Sequence, residues 1–173
     1  MDFSELSQFN RGGIAFGEQL EQDSDRGAAL VGLAFLDELL KRLFEAKMRT
    51  GRMTKKLLEY PGALATASAR SDVAYSLGWI GAKTYRDLVT LRQIRNKFAH
   101  AYEPMKFTDA GIQALCAKLE LGDVPIGIRG RFASPEREQF ICAAARIAFR
   151  LEFYRQTARL SLSASDGPPE DLA

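Results

Sequence analysis

Residues Lys83 to Tyr102 read KTYRDLVTLRQIRNKFAHAY, and the spacing inside this stretch decides the fold class. Tyr85, Leu88, Leu91, Ile94 and Phe98 recur every three or four residues, as the buried face of an α-helix does. Arg86, Arg92, Arg95, Asn96 and Lys97 fall between them, so the opposite face is basic and rich in hydrogen-bond donors. The stretch ends on His100, the single histidine of the chain.

The same periodicity extends outward in both directions. Upstream, Gly78 followed by Trp79 and Ile80 has the form of a glycine helix stop with an apolar residue folded back over the last turn. The helix it closes is expected over about Ala63 to Leu77, joined by Gly81 and Ala82 to the central helix as an antiparallel neighbour. Before it, Arg52 to Pro61 reads as a basic linker with one helical turn through Lys55 to Glu59. The first long helix opens at Asp23 or Ser24, carries Leu33, Leu36, Leu39, Leu40 and Leu43, and runs to about Met48, with Gly51 as its terminator.

Downstream, Thr108 and Asp109 open a shorter helix reaching about Lys118, and Leu119 to Ala133 is a glycine-rich loop. Ser134-Pro135-Glu136 combines a capping hydroxyl, a first-turn proline and an early acid. The helix that follows keeps Phe140, Ala144, Ile147, Leu151, Tyr154 and Ala158 on one face to about Leu160. No alternating strand pattern occurs. The expected fold is therefore all-α, an antiparallel helical bundle with short extra helices. Residues 1–22 are expected to be a flexible arm with room for a short helix, 23–160 a single helical domain and 161–173 a disordered tail.

At 173 residues the chain suits one domain with a substantial core, and its net charge of +2 excludes a surface that is basic all over. Cys116 and Cys142 lie far apart and have no neighbours at metal-ligand spacing, as expected of reduced core residues in a cytoplasmic protein. The N-terminus does not have the form of a secretory leader. The longest apolar run, Ala28 to Leu36, is about half of the ~20 residues that cross a bilayer. No membrane, metal or cofactor is expected. Gly122, Gly127 and Gly130 lack the Lys-Ser/Thr of a phosphate-cradling loop, and no Gly-x-Ser-x-Gly turn is present.

Chemistry concentrates at the end of the central helix. Asn96 and His100 are four residues apart and share a face with Arg92, whereas Arg95 lies roughly 140° around the axis from His100 at 3.6 residues per turn. Two such helix ends meeting across a symmetric dimer would bring guanidinium and imidazole groups together, a set able to grip phosphate and exchange protons near neutral pH. The structural alternative assigns His100 to capping carbonyls at the negative end of the helix dipole and Arg95 to an acid such as Glu38 or Asp72. The basic stretch Arg49, Arg52, Lys55 and Lys56 is read first as a solvated linker, with phosphate contact as the other reading. No helix-turn-helix with an exposed recognition helix stands out, so direct DNA binding is doubtful.

The segment LGWIGAKTYRDLVTLRQIRNKFAH, followed by MKFTDAGIQALCAKL, resembles the mannitol operon repressor family of bacterial helical proteins. The resemblance spans about Gly27 to Leu160 and includes FLDELLKRL of the first helix. It implies a cytoplasmic regulator of a sugar-alcohol operon that acts through a protein partner, a transcription or phosphotransfer component. Arg95-Asn96-Lys97-Phe98-Ala99-His100 is also similar to the Arg-x4-His motif of HEPN proteins, and Tyr102 extends it to Arg-x4-His-x-Tyr. That likeness implies a metal-independent endoribonuclease with Arg95 and His100 catalytic, Asn96 supporting and Tyr102 regulatory. In the regulatory reading Arg92, Arg95, Asn96, His100 and Tyr102 form a binding surface, on a protein expected to be a homodimer.

Overall fold

Burial in the structure follows the apolar stripes read from the sequence. The computed structural model describes residues 15–120 and 133–163. Seven helices and no strand are found among them: α1 (15–22), α2 (Asp25–Lys47), α3 (Arg52–Leu58), α4 (Ala67–Ser76), α5 (Ala82–His100), α6 (Ala110–Cys116) and α7 (Pro135–Ser163). The protein is an all-α bundle.

Helices α2, α5 and α7 form its body, with α4 leaning on α2 and α5 and α6 bridging α5 to α7. Leu36, Leu40, Leu43 and Phe44 of α2 face Leu91, Ile94 and Phe98 of α5 in one continuous core. Each such side chain stabilises the fold by roughly 1.5–3 kcal/mol relative to exposure. Every residue from Phe140 to Ala148 is buried, so α7 is covered on all sides in this region and is the central helix. Phe98, Phe107 and Phe140 pack in series as tilted pairs, with ring centroids 5.0 and 5.1 Å apart, tying α5, the α5–α6 loop and α7 together.

The helix ends show which local signals operate. The Ser24 hydroxyl accepts from the Gly27 amide (3.0 Å) and caps α2, as its position before the apolar run predicts. Gly78 has φ +69°, and the Trp79 amide reaches back to the Ala74 carbonyl (2.8 Å), the expected glycine stop. Ser134 caps α7 by accepting from the Arg137 amide (3.2 Å).

Four boundaries differ from the sequence reading. Gly51 does not end α2, which closes at Met48; it precedes α3, and its φ of +154° favours glycine there. The basic linker contains a seven-residue helix, α3, because Leu58 finds a place in the core. Helix α4 begins at Ala67, not Ala63, since the Thr66 hydroxyl accepts from the Ala69 amide (3.2 Å) and fixes the start. Helix α6 stops at Cys116. Residues 15–22, grouped with the N-terminal arm, form α1, with Phe16 and Leu20 buried. The rest of the arm (1–14), most of the glycine-rich loop (121–132) and the tail beyond 163 lie outside the described residues.

Candidate functional site

Helix α5 carries the candidate residues because its inner face, from Leu88 through Phe98, is fixed in the core. Asp87, also on that inner face, forms a buried ion pair with Arg146 of α7. Burial raises the Asp87 carboxyl above its ordinary value, while Arg146 pulls it back down. Asp87 also accepts from the Glu120 amide (3.5 Å), and the Glu120 carboxylate bridges Lys83 (2.9 Å) and Arg86 (3.4 Å). The hydrogen bond from Lys83 is the main reason the Glu120 carboxyl is held below its ordinary value. The two cations in the N-terminal half of the basic face thereby share one carboxylate.

The C-terminal half is arranged differently. Arg95, Asn96, Lys97 and His100 are exposed. The Arg95 guanidinium donates to the Asn96 side-chain oxygen (3.2 Å) and has no acidic partner among the described residues. Neither acid considered for it pairs with it: Glu38 pairs with Arg42 (2.9 Å), and Asp72 accepts from the Tyr85 hydroxyl (3.0 Å). The His100 imidazole makes no hydrogen bond among the described residues, and Tyr102 just beyond is fully exposed (104%). Arg92 sits apart from them, half-buried and close enough to Tyr85 to oppose the upward shift of that phenol caused by its hydrogen bond to Asp72.

The carbonyls at the end of α5 are capped by a residue outside the expected set. Arg26 of α2 donates to the Ala99 carbonyl at 3.0 Å and to the Ala101 carbonyl at 3.3 Å. A cation at this end also answers the helix dipole. The roles that would have occupied Arg95 and His100 structurally are filled by other groups, leaving both side chains directed to solvent.

Arg26 is held in turn by the α1–α2 junction. The adjacent Asp25 accepts from the Phe107 amide (3.0 Å) and pairs with Arg137, which is buried and also donates to the carbonyls of Leu20 (2.9 Å), Glu21 (3.1 Å) and Asp23. The α5 terminus and its following loop are thus braced from α2 and α7. A charge inside an apolar stripe, as at Arg146 and Asp87, is the signal by which sequence could have found the buried pair. Arg26 and Arg137 carry no comparable signal, since their partners are mostly backbone.

No group of three or more His, Cys, Asp or Glu side chains that could hold a metal ion occurs among the described residues, and none of the described helices is long and apolar enough to cross a membrane. The fold and its exposed α5 end define a rigid helical scaffold that presents a polar, cationic surface at the end of α5. The chain belongs to the mannitol repressor family, whose sequence pattern matches residues 29–162. Its backbone is similar to that in the X-ray structure of the MtlR–HPr complex from Escherichia coli, with a TM-score of 0.62 and 19% identity, covering 79% of this chain and 98% of the other. The sequence has no significant match among curated proteins.

Proposed function

We propose that this mannitol repressor-like protein regulates transcription by binding a phosphotransfer protein of the HPr kind through the exposed end of α5. The observation that carries the proposal is the freedom of Arg95, Asn96, His100 and Tyr102, whose structural duties are discharged by Arg26 and by other ion pairs. The backbone of this helix end is already braced, so binding there orders side chains only and adds no cost for ordering a loop. The fold shared with the MtlR of the HPr complex suggests the partner's class. The acting unit in this proposal is residues 23–160, as a cytoplasmic homodimer. Hydrogen exchange tests the contact: adding purified HPr should slow exchange of amides at residues 95–102. Unchanged exchange there, with HPr bound elsewhere or not at all, overturns it.

The same exposure supports a second reading, a metal-independent ribonuclease of the HEPN type. Arg95 and His100 are solvent-facing, and a second copy of α5 would have to bring the imidazole of one chain to the guanidinium of the other. Cleavage of single-stranded RNA in chelator, lost in His100→Ala with the fold intact, is the required result. Equal activity in both proteins contradicts it.

A further inference from the structure

The ten residues Lys47 to Lys56 contain five lysines and arginines and no acid, so the remaining chain has a net charge of 2 − 5 = −3. This stretch is therefore a concentrated basic segment, separate in sequence from the basic end of α5. Lys47 lies over the Trp79 ring, 5.4 Å from its centroid, and Arg49, Arg52, Lys55 and Lys56 are exposed, with no ion pair among the described residues.

The structure turns these four cations from a chain segment into a surface. Arg52, Lys55 and Lys56 stand at i, i+3 and i+4 of α3, neighbours on one helix face. The Thr54 hydroxyl donates to the Arg49 carbonyl and draws Arg49 back over the first turn. Met53 (66% exposed) and Tyr60 (92% exposed) flank the cations with apolar surface and a phenolic hydroxyl.

The helix is anchored from below. Leu58 is buried in the core, and the Leu64 amide returns to the Leu57 carbonyl (2.9 Å). Buried Arg70 pairs with Asp37 and donates to the Leu64 carbonyl (2.7 Å), fastening the following loop to α2 and α4. Gly62 makes that closure possible: a Cβ there would lie 2.1 Å from the Lys56 carbonyl oxygen and 2.4 Å from that of Leu57. A solvated linker has no use for such bracing.

We infer that α3, with Arg49 and Tyr60, is a docking surface for the phosphate backbone of duplex DNA. Four exposed cations, with no ion pair among the described residues and set against the one acid Glu59 at the end of α3, complement a polyanion, and Tyr60 adds a hydroxyl donor of the kind that contacts phosphate. The surface reads no bases; it holds the protein against DNA while sequence choice comes from elsewhere. This rests on the regulatory role proposed above and not on the HPr contact.

Fluorescence anisotropy of the full chain with a short labelled duplex of arbitrary sequence, across a potassium chloride series, tests the inference. Four phosphate contacts give a slope of about −3.6 in log K against log salt, at roughly 0.9 per contact. Arg52→Ala with Lys55→Ala should reduce the slope by about 1.8 without changing the melting temperature, while Arg95→Ala with Lys97→Ala should leave it unchanged. No binding at low salt, an unchanged slope in the α3 variant, an equal loss in the α5 variant, or tighter binding of single-stranded RNA would each overturn it. The α3 variant should bind HPr as wild type does, so failure here and failure of the HPr contact are separately visible.

Discussion

The Arg26 guanidinium donates to the Ala99 carbonyl at 3.0 Å, joining the start of α2 to the end of α5 across 73 positions of sequence. This contact supplies a cation at the C-terminal end of α5, a place the imidazole of His100 does not fill. Arg26→Ala should cost about 1–2 kcal/mol, since exposed hydrogen bonds from a charged donor fall at the low end of their range. Hydrogen exchange should show faster opening of residues 97–101 with α7 unaffected. Equal acceleration in all helices would mean that the bond acts on global stability rather than on this terminus.

Asp87 and Arg146 form the buried pair between α5 and α7. Arg146→Met alone strands a buried carboxylate and should destabilise the protein by about 3–5 kcal/mol, whereas Asp87→Leu with Arg146→Met should recover most of that loss. Urea unfolding of the two single variants and the double variant measures the coupling. Additive losses would show that the charges do not interact.

Acid should weaken the fold through the carboxylates that gain partners. The hydrogen bond from Arg155 holds the Glu152 carboxyl below its ordinary value of 4.5, and Lys83 does the same for Glu120. A carboxyl depressed in the folded state contributes its full stability above the unfolded value and loses it as pH falls through the lower, folded value. Glu152→Gln should therefore reduce stability at neutral pH by at most about 1 kcal/mol and flatten the loss seen below pH 4.5. A variant with the wild-type acid profile would contradict this assignment.

Neither Cys116 nor Cys142 is in a disulfide and both are buried, and burial is the main cause pushing the Cys116 thiol up to about 12. The thiolate is the reactive form, so neither residue should react with a thiol reagent in the native protein at neutral pH, and both should react in denaturant. Prompt labelling of Cys116 in the native state would mean that α6 lifts away from α7.

The elements readable in the sequence were those whose ends carry their own chemistry. Ser24, Gly78 and Ser134 mark their helix ends by a hydroxyl or a glycine beside an apolar stripe, and the structure uses all three. Helix α4 was drawn too long because Ala63, Leu64 and Ala65 have helical composition, although Leu64 serves the loop that Arg70 fastens. The sequence of α3 shows only one helical turn within a basic linker, because its charges outnumber the single buried leucine that anchors it. At the candidate site the exposed face of α5 followed from periodicity. The partners of that face did not, because Arg26 acts on backbone oxygens that have no sequence signature, and Glu38 and Asp72 are taken by Arg42 and Tyr85.

Isothermal titration of purified HPr into the full chain, beside Arg95→Ala with His100→Ala, tests the central claim most directly. The wild type should give saturable binding, and the double variant, with its melting temperature retained, should bind at least about tenfold more weakly, a loss of roughly 1.4 kcal/mol. No heat of binding with the wild type, or the same isotherm from both proteins, would contradict the account.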